Sequence, residues 1–465
     1  MNSSRRRFLK QSALITLGFT GLGHFAQRMA AAGSAEAMNL PGYGPLLPDP
    51  KGILDLPGGF TYRIISKAGD IMTDGLLVPK TPDGMGAFAG TNGRTILVRN
   101  HENGADPSAS GAFGKDYERL SKIEPEAFYD YGNGRMPGLG GTTTLVYDSR
   151  SERLVTQFLS LAGTYRNCAG GITPWNTWIS CEEAVTLADR DDNIEKDHGY
   201  NFEVPVTEKP HLADPIPLTA MGRFNHEAVC VDPSTGIVYQ TEDRPDGLIT
   251  RFIPNTPGRL INGGRLQALA IKGDPSRDTR NWEGLDADPF PLGTPFDVEW
   301  IDLEEIDAPK DDLRYRGFDS GAARFARGEG MWFGKNEVYF ACTNGGAKLL
   351  GQIFRYRPSP REGTDRESNQ PGTLELFVEP NDGTIIENAD NLTVSPWGDV
   401  VVCEDGGGDN FLVGIRPNGD CYQIARNATG DTELAGVCFS PVDGTLFVNL
   451  QGPGLTLAIT GPWQG

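Results

Sequence analysis

The sequence predicts an all-β fold, a six-bladed β-propeller with long capping loops, and three observations predict it. First, six stretches share one plan: an apolar run, a turn of Pro, Gly, Asn or Asp type, a second apolar run, and a closing acid or amide. The closing residues are Glu102, Glu183, Glu242, Asn344, Glu404 and Asn449. Second, these residues recur 45 to 102 residues apart, which fits four-stranded blades of about 40 to 50 residues carrying insertions. Third, 60 glycines and 33 prolines punctuate β-branched runs such as 94–98 and 399–402, while helical periodicity is scarce. A pair of β-sandwiches is the competing all-β architecture, but it does not account for six copies of one hairpin.

Taken in order, the chain opens with Ser4-Arg5-Arg6-Arg7-Phe8-Leu9-Lys10, an apolar stretch over 13–26 and small residues from Ala30 to Ala35. This is the pattern of a twin-arginine export peptide, so 1–35 is expected to be a signal peptide and 36–465 a single propeller domain. The apolar stretch is short, broken by glycine and contains His24, which argues against a spanning helix. The mature protein is expected to be periplasmic or extracellular, with the twin-arginine translocase as its partner during export and no membrane anchor afterwards. That route carries proteins already folded, which suits a metal site loaded inside the cell. The three largest gaps, 103–137, 189–217 and 274–315, read as polar loops capping one face. Short helices are expected at 113–122 and 303–306.

Sixty-two acids against 42 bases give a net charge of −20. Such a surface argues against nucleic acid and anionic lipid as partners and suits a protein loaded with cations. The seven cysteines are an odd number, and folding in a reducing compartment disfavours disulfides. Four of them lie inside the repeated apolar runs as small hydrophobes. Cys168 differs, because it stands at a repeat start where other copies carry Glu.

Fifteen residues before the six closing positions stand Ala87, Cys168, Glu227, Glu329, Ala389 and Leu434. An antiparallel hairpin returns the chain to its start, so these residues are expected near the closing acids and, in a propeller, near the axis. Cys168 is thereby brought to Glu182 and Glu183, Glu227 to Glu242, Glu329 to Asn344, and Asp390 and Asn391 to Glu404 and Asp405, with His101 and Glu102 from a further blade. Many carboxylates in one place repel unless multivalent cations neutralise them. Oxygen donors favour calcium, magnesium or manganese, and a thiolate calls for iron or zinc, so the mixture suggests two kinds of metal. The candidate ligands are Cys168, Glu183, Glu227, Glu242, Glu329, Asn391 and Glu404. His101 and His226 each precede a Glu and are either ligands or loop hydrogen-bonding residues. Arg327, two residues before Glu329, would aim a planar five-donor fork at the same place and is the candidate catalytic residue for gripping a phosphate or carboxylate. No Ser-His-Asp arrangement supports a nucleophilic triad.

Taken together, the twin-arginine start and the motifs Leu56-Pro-Gly-Gly-Phe-Thr-Tyr-Arg, Val98-Arg-Asn-His-Glu, Asn167-Cys-Ala-Gly-Gly, Thr173-Pro-Trp-Asn-Thr-Trp, Ser180-Cys-Glu-Glu, Asn225-His-Glu-Ala, Arg327-Gly-Glu-Gly, Asp390-Asn-Leu and Cys403-Glu-Asp-Gly resemble the PhoX-type alkaline phosphatases over nearly the whole chain. The resemblance implies a six-bladed propeller that hydrolyses small-molecule phosphate monoesters outside the cytoplasm with a ferric pair, bridged by oxide, and calcium ions. It implies Cys168 as the thiolate on iron, and Glu183, Glu227 and Glu329 among the iron and calcium carboxylates. Glu404 and Asn391 complete that set, and Arg327 grips the phosphate. The chain departs from the family in being shorter and in having no Lys between Ile123 and Cys168, where the family places a second phosphate-binding base; Arg166 is the nearest base. A calcium-dependent propeller lactonase or phosphotriesterase, and a non-catalytic secreted propeller with structural calcium, are the alternatives.

Overall fold

In all six copies the two apolar runs pair as an antiparallel hairpin. The pairs are Pro82–Ala89 with Thr95–His101, Asn167–Ile172 with Thr177–Glu182, and His226–Val231 with Val238–Glu242. They continue as Gly328–Phe333 with Val338–Cys342, Ala389–Val394 with Val400–Glu404, and Leu434–Phe439 with Leu446–Leu450. The computed structural model describes residues 42–104, 111–190 and 193–463; the expected signal peptide lies outside the described residues.

The fold is all-β and propeller-like. Further strands extend each hairpin outward, and the first strand of every hairpin adjoins the first strand of the next, with Leu434–Phe439 returning to Pro82–Ala89. Chain-start strands complete two chain-end sheets: Thr61–Lys67 pairs with Leu455–Thr460, and Leu54–Pro57 with Cys421–Asn427. Joining the two ends of the chain by ladder hydrogen bonds closes the ring and removes two exposed strand edges.

Strand pairing gives five sheets rather than six separate ones. The long 274–315 segment contributes the strand Phe296–Asp302, which pairs on one side with Gly264–Ile271 and on the other with Thr373–Val378. It thereby fuses two of the hairpin units into one nine-stranded sheet. The helices expected at 113–122 and 303–306 are not formed as such. Gly114 and Tyr117 both hold positive φ, which breaks the first into turns and a 3₁₀ turn at Leu120–Lys122. The α-helix among the described residues is Leu313–Asp319.

Burial follows the strands. The largest core cluster joins Tyr239, Leu269, Phe325, Phe340 and Phe354 between the two hairpin units of the nine-stranded sheet, and the rest fill the spaces between the other units. The 103–137 loop folds back through Phe113, Leu120 and Phe128 onto Leu139 and Leu159. All seven cysteines are free and buried.

Candidate metal centre

The hairpins aim their chemistry through a shared irregularity. In each first strand the pairing slips near the start: between Pro82 and Met85, Asn167 and Gly170, His226 and Val229, Gly328 and Met331, Ala389 and Leu392, and Ala435 and Cys438. A bulge bends the strand and turns one side chain out of the alternation. The second residues of the six strands are Asp83, Cys168, Glu227, Glu329, Asp390 and Ala435, so five of six copies present a metal-capable group. A further motif closes each hairpin. The backbone N–H of the residue after the second strand (Glu102, Glu183, Asp243, Thr343, Asp405 or Gln451) donates to the carbonyl of the residue before the first (Thr81, Arg166, Asn225, Arg327, Asn388 or Glu433), at 2.9–3.3 Å.

These positions converge on one end of the axis. Three groups form, each with ligand atoms within 4.8 Å of one another: Asp83, Glu102 and Cys168; Cys168, Glu183 and Glu227; Glu227, Glu329 and Asp390. Cys168 and Glu227 belong to two groups each and link them into a chain. Immediately beneath, the axis is filled. Gly84, Ala169, Ala228, Gly330 and Gly436 line a cavity of only about 20 Å³, too small for more than one water. A Cβ on Gly84 would come 2.4 Å from Ala169 Cα, and one on Gly330 2.6 Å from the Asp390 carbonyl oxygen. The small residues let the inner strands meet, so the acids open only toward the mouth.

Burial and mutual repulsion load this cluster. Burial first and then Glu329 push the Glu227 carboxyl well above its ordinary range. Burial and Asp390 do the same to Asp83, and burial and Asp243 to Glu329. Glu183 and Asp390 are each pushed up to about 7, chiefly by burial and next by Asp243 and Asp405 respectively. Glu433, chiefly buried and next to Asp83, is pushed up to about 11. Burial, then Glu102, raises the Cys168 thiol, whose Sγ lies 3.0 Å from a Glu183 oxygen. Two guanidiniums answer so many acids. Arg327 donates bidentately to Asp243 through Nε at 2.7 Å and Nη2 at 2.9 Å, and Nη2 stands 3.0 Å from Glu329. Nη2 of Arg166 meets Glu102 at 2.6 Å and Glu183. The donor set suits cations: a thiol shared by the first two groups fits a transition ion, and the all-carboxylate third group fits a hard one.

The structure brings Cys168, Glu183, Glu227 and Glu329 together, with Arg327 beside them. It does not bring Glu242 and Glu404 into these groups. Glu404 accepts the backbone N–H groups of Glu387 at 2.9 Å and Phe411 at 2.8 Å, one on each oxygen. Glu242 accepts that of Leu248 at 3.1 Å and faces Arg314 at 3.7 Å. Each is the last residue of its second strand, and the residue after it, Asp405 or Asp243, faces the axis. Asn391 stands second in its bulge and spans two hairpins. Its amide nitrogen is 3.4 Å from Asp83, and its oxygen accepts the Gly436 N–H at 3.0 Å. Asn344 is one residue past its axial position, which Thr343 holds. His101 spends both ring nitrogens on the Lys80 carbonyl and Thr143, and His226 uses Nε2 on the Gly222 carbonyl. Asp83, Asp243 and Glu433 are the cluster members that the sequence reading does not name.

A family model for alkaline phosphatase PhoX matches residues 41–454. The chain belongs to the alkaline phosphatase PhoX family. PhoX membership supports a phosphatase. No curated protein matches the chain. Among solved structures, a structural-genomics target described as a gluconolactonase aligns at 12% identity and TM-score 0.41, covering 87% of this chain and 93% of that one. The gluconolactonase XC5397 from Xanthomonas campestris aligns at 13% identity and TM-score 0.40, covering 91% and 99%. A streptogramin B lyase aligns at 9% and 0.38, covering 87% and 98%.

Proposed function

We propose that this chain is an exported phosphatase whose single domain, counted as six blades from its six inner strands, hydrolyses phosphate monoesters at the axial mouth with iron and calcium. The observation that carries the reading is the chain of three overlapping ligand groups, with the Arg327 guanidinium beside it, in a PhoX-family protein. Cys168, with Asp83, Glu102 and Glu183, would hold iron, and Glu227, Glu329 and Asp390 would hold calcium, as hard and soft donors divide. Multivalent cations bound there supply positive charge for the phosphoryl oxygens and lower the pKa of water.

The chain's own residues do the positioning. Arg327 is half-exposed at the mouth, and its Nη1 donates to no acceptor among the described residues. It can offer that nitrogen to an equatorial phosphoryl oxygen while Asp243 fixes the guanidinium plane. The filled axis beneath keeps water from entering from below. The acid cluster needs cations before it can ionise fully, so activity is expected only in the metal-loaded protein. No helix among the described residues is long and apolar enough to cross a membrane. A periplasmic or extracellular location rests on the twin-arginine leader.

Elemental analysis of natively exported protein, paired with a calcium-dependent assay on a chromogenic phosphate monoester, tests the reading. Iron with calcium and hydrolysis are expected. Calcium without iron, with activity on lactones or phosphotriesters, would favour the alternative enzyme class. No hydrolysis after loading with both metals would leave a structural propeller.

A further inference from the structure

Arg166 and Arg327 occupy the same position in two hairpins. Each is the residue before the first strand, each holds positive φ (47° and 50°), and each carbonyl accepts the N–H of the residue after the second strand. Thr81 and Asn388 share the position and the backbone conformation, so the turn itself belongs to the hairpin. What is particular to these two copies is a guanidinium at the mouth.

Their anchors meet. Arg166 is rooted on Glu102 and Glu183, and Arg327 on Asp243 and Glu329. Glu183 and Asp243 lie close enough that Asp243 raises the Glu183 carboxyl, so the two roots meet between the forks. The hairpin between them carries Asn225 at the same position. Asn225 is 4% exposed, its Nδ2 is 3.5 Å from Glu183, and its Oδ1 has no hydrogen-bond partner. Both guanidiniums keep donors in hand. Among the described residues, Nε and Nη1 of Arg166 and Nη1 of Arg327 donate to no protein acceptor. Their side chains are 47% and 38% exposed, where a cation serving only to neutralise buried acids would be covered.

We infer that Arg166 is a substrate-binding residue, the second arm of a two-guanidinium clasp that with Arg327 grips the dianionic phosphoryl group of a monoester above the ligand groups. The inference rests on the phosphatase reading and deepens it. A monoester dianion offers three terminal oxygens, enough for both forks. A diester has two and a second substituent, which would meet the second fork. Arg166 thus sets the preference for monoesters over diesters.

The test uses the full-length metal-loaded protein, with Arg166→Ala and Arg166→Lys beside the natural chain. Metal content, inorganic phosphate affinity by calorimetry, and the ratio of monoester to diester kcat/KM are measured. Arg166→Ala is expected to keep its metals, to bind phosphate about tenfold more weakly and to lower the monoester-to-diester ratio about tenfold, the size of one lost charge-assisted pair. Arg166→Lys, which keeps the charge without the fork, is expected to fall between, and it carries the test if the Ala variant does not fold. Unchanged phosphate affinity and ratio with metals retained would overturn the assignment. So would loss of metal alongside phosphate, or tighter metal binding with phosphate untouched, since Arg166 would then act on the cluster. If the natural chain hydrolyses no monoester, the phosphatase reading fails by itself, and the phosphate calorimetry still decides on Arg166.

Discussion

Glu182 and Glu183 are neighbours in sequence and do opposite things. Glu182 is the last residue of its strand, fully buried, and every contact it makes is internal. It accepts the N–H of Tyr165 at 2.9 Å, of Gly199 at 2.9 Å and of Tyr200 at 3.3 Å, and His198 Nδ1 at 2.6 Å. Burial lowers the His198 pKa, but Glu182 and Asp130 outweigh it and push it up to about 9. Glu183, one residue on, has left the ladder and faces Cys168, Arg166 and Glu227. The same division recurs at Glu242 and Asp243, and at Glu404 and Asp405. In a strand consecutive side chains alternate between faces, so one residue decides whether an acid caps backbone between blades or joins the axis.

Substitutions on the two sides of that division should fail in different ways. The largest effect is expected from Cys168→Ser, which removes the thiolate shared by two groups; iron should be lost and turnover with it, read by elemental analysis and the monoester assay. A variant with full iron occupancy would sink the thiolate assignment. Next, Arg327→Ala should cut kcat/KM by roughly 10²–10³, the usual cost of one charge-stabilising donor, while metal content stays the same. Loss of metal, or unchanged turnover, contradicts its role.

On the capping side, Glu404→Ala leaves two part-buried N–H groups without acceptors and should cost about 1–3 kcal/mol of unfolding free energy, measured by urea denaturation of loaded protein. The smallest expected effect is on the pH dependence of stability. Glu183 and Asp390 are raised to about 7, so the metal-free folded state binds more protons than the unfolded chain. Their stabilisation is complete below the ordinary carboxylate range and is lost as pH rises through about 7. Metal-free protein should therefore melt lower at pH 8 than at pH 5, with calcium narrowing the gap. A gap left unchanged by saturating calcium would show that Asp390 is not where calcium binds.

Much of this was legible in the sequence because a hairpin is a local object. Alternating apolar runs and turn residues named all six copies, and Cys168, Glu227 and Glu329 stood out as polar residues opening apolar strands. The fixed offset then failed for a physical reason. The turns differ in length: nineteen residues separate Asp83 from Glu102, sixteen separate Glu227 from Asp243, and fourteen separate Glu329 from Thr343. A constant spacing therefore selected Ala87 over Asp83, Asn344 over Thr343, and the strand-end acids Glu242 and Glu404 over Asp243 and Asp405. Aligning the copies on the residue before each first strand would have paired Arg166 with Arg327 directly. Glu433 holds that same aligned position, but its own copy presents Ala435 where the others present a ligand, so nothing marked it as part of the cluster. The fusion of two hairpin units by Phe296–Asp302 was invisible too, since that strand lies in an insertion and pairs across more than seventy residues of chain.

The central claim is that acids at the bulges bind metal and acids at the strand ends do not. Metal stoichiometry in Glu227→Gln and Glu404→Gln, exported and purified alike, tests it most directly. The expected result is loss of bound metal in Glu227→Gln, which breaks two of the three groups, and an unchanged metal-to-protein ratio in Glu404→Gln at a lower melting temperature. Full metal in Glu227→Gln with depletion in Glu404→Gln would contradict it.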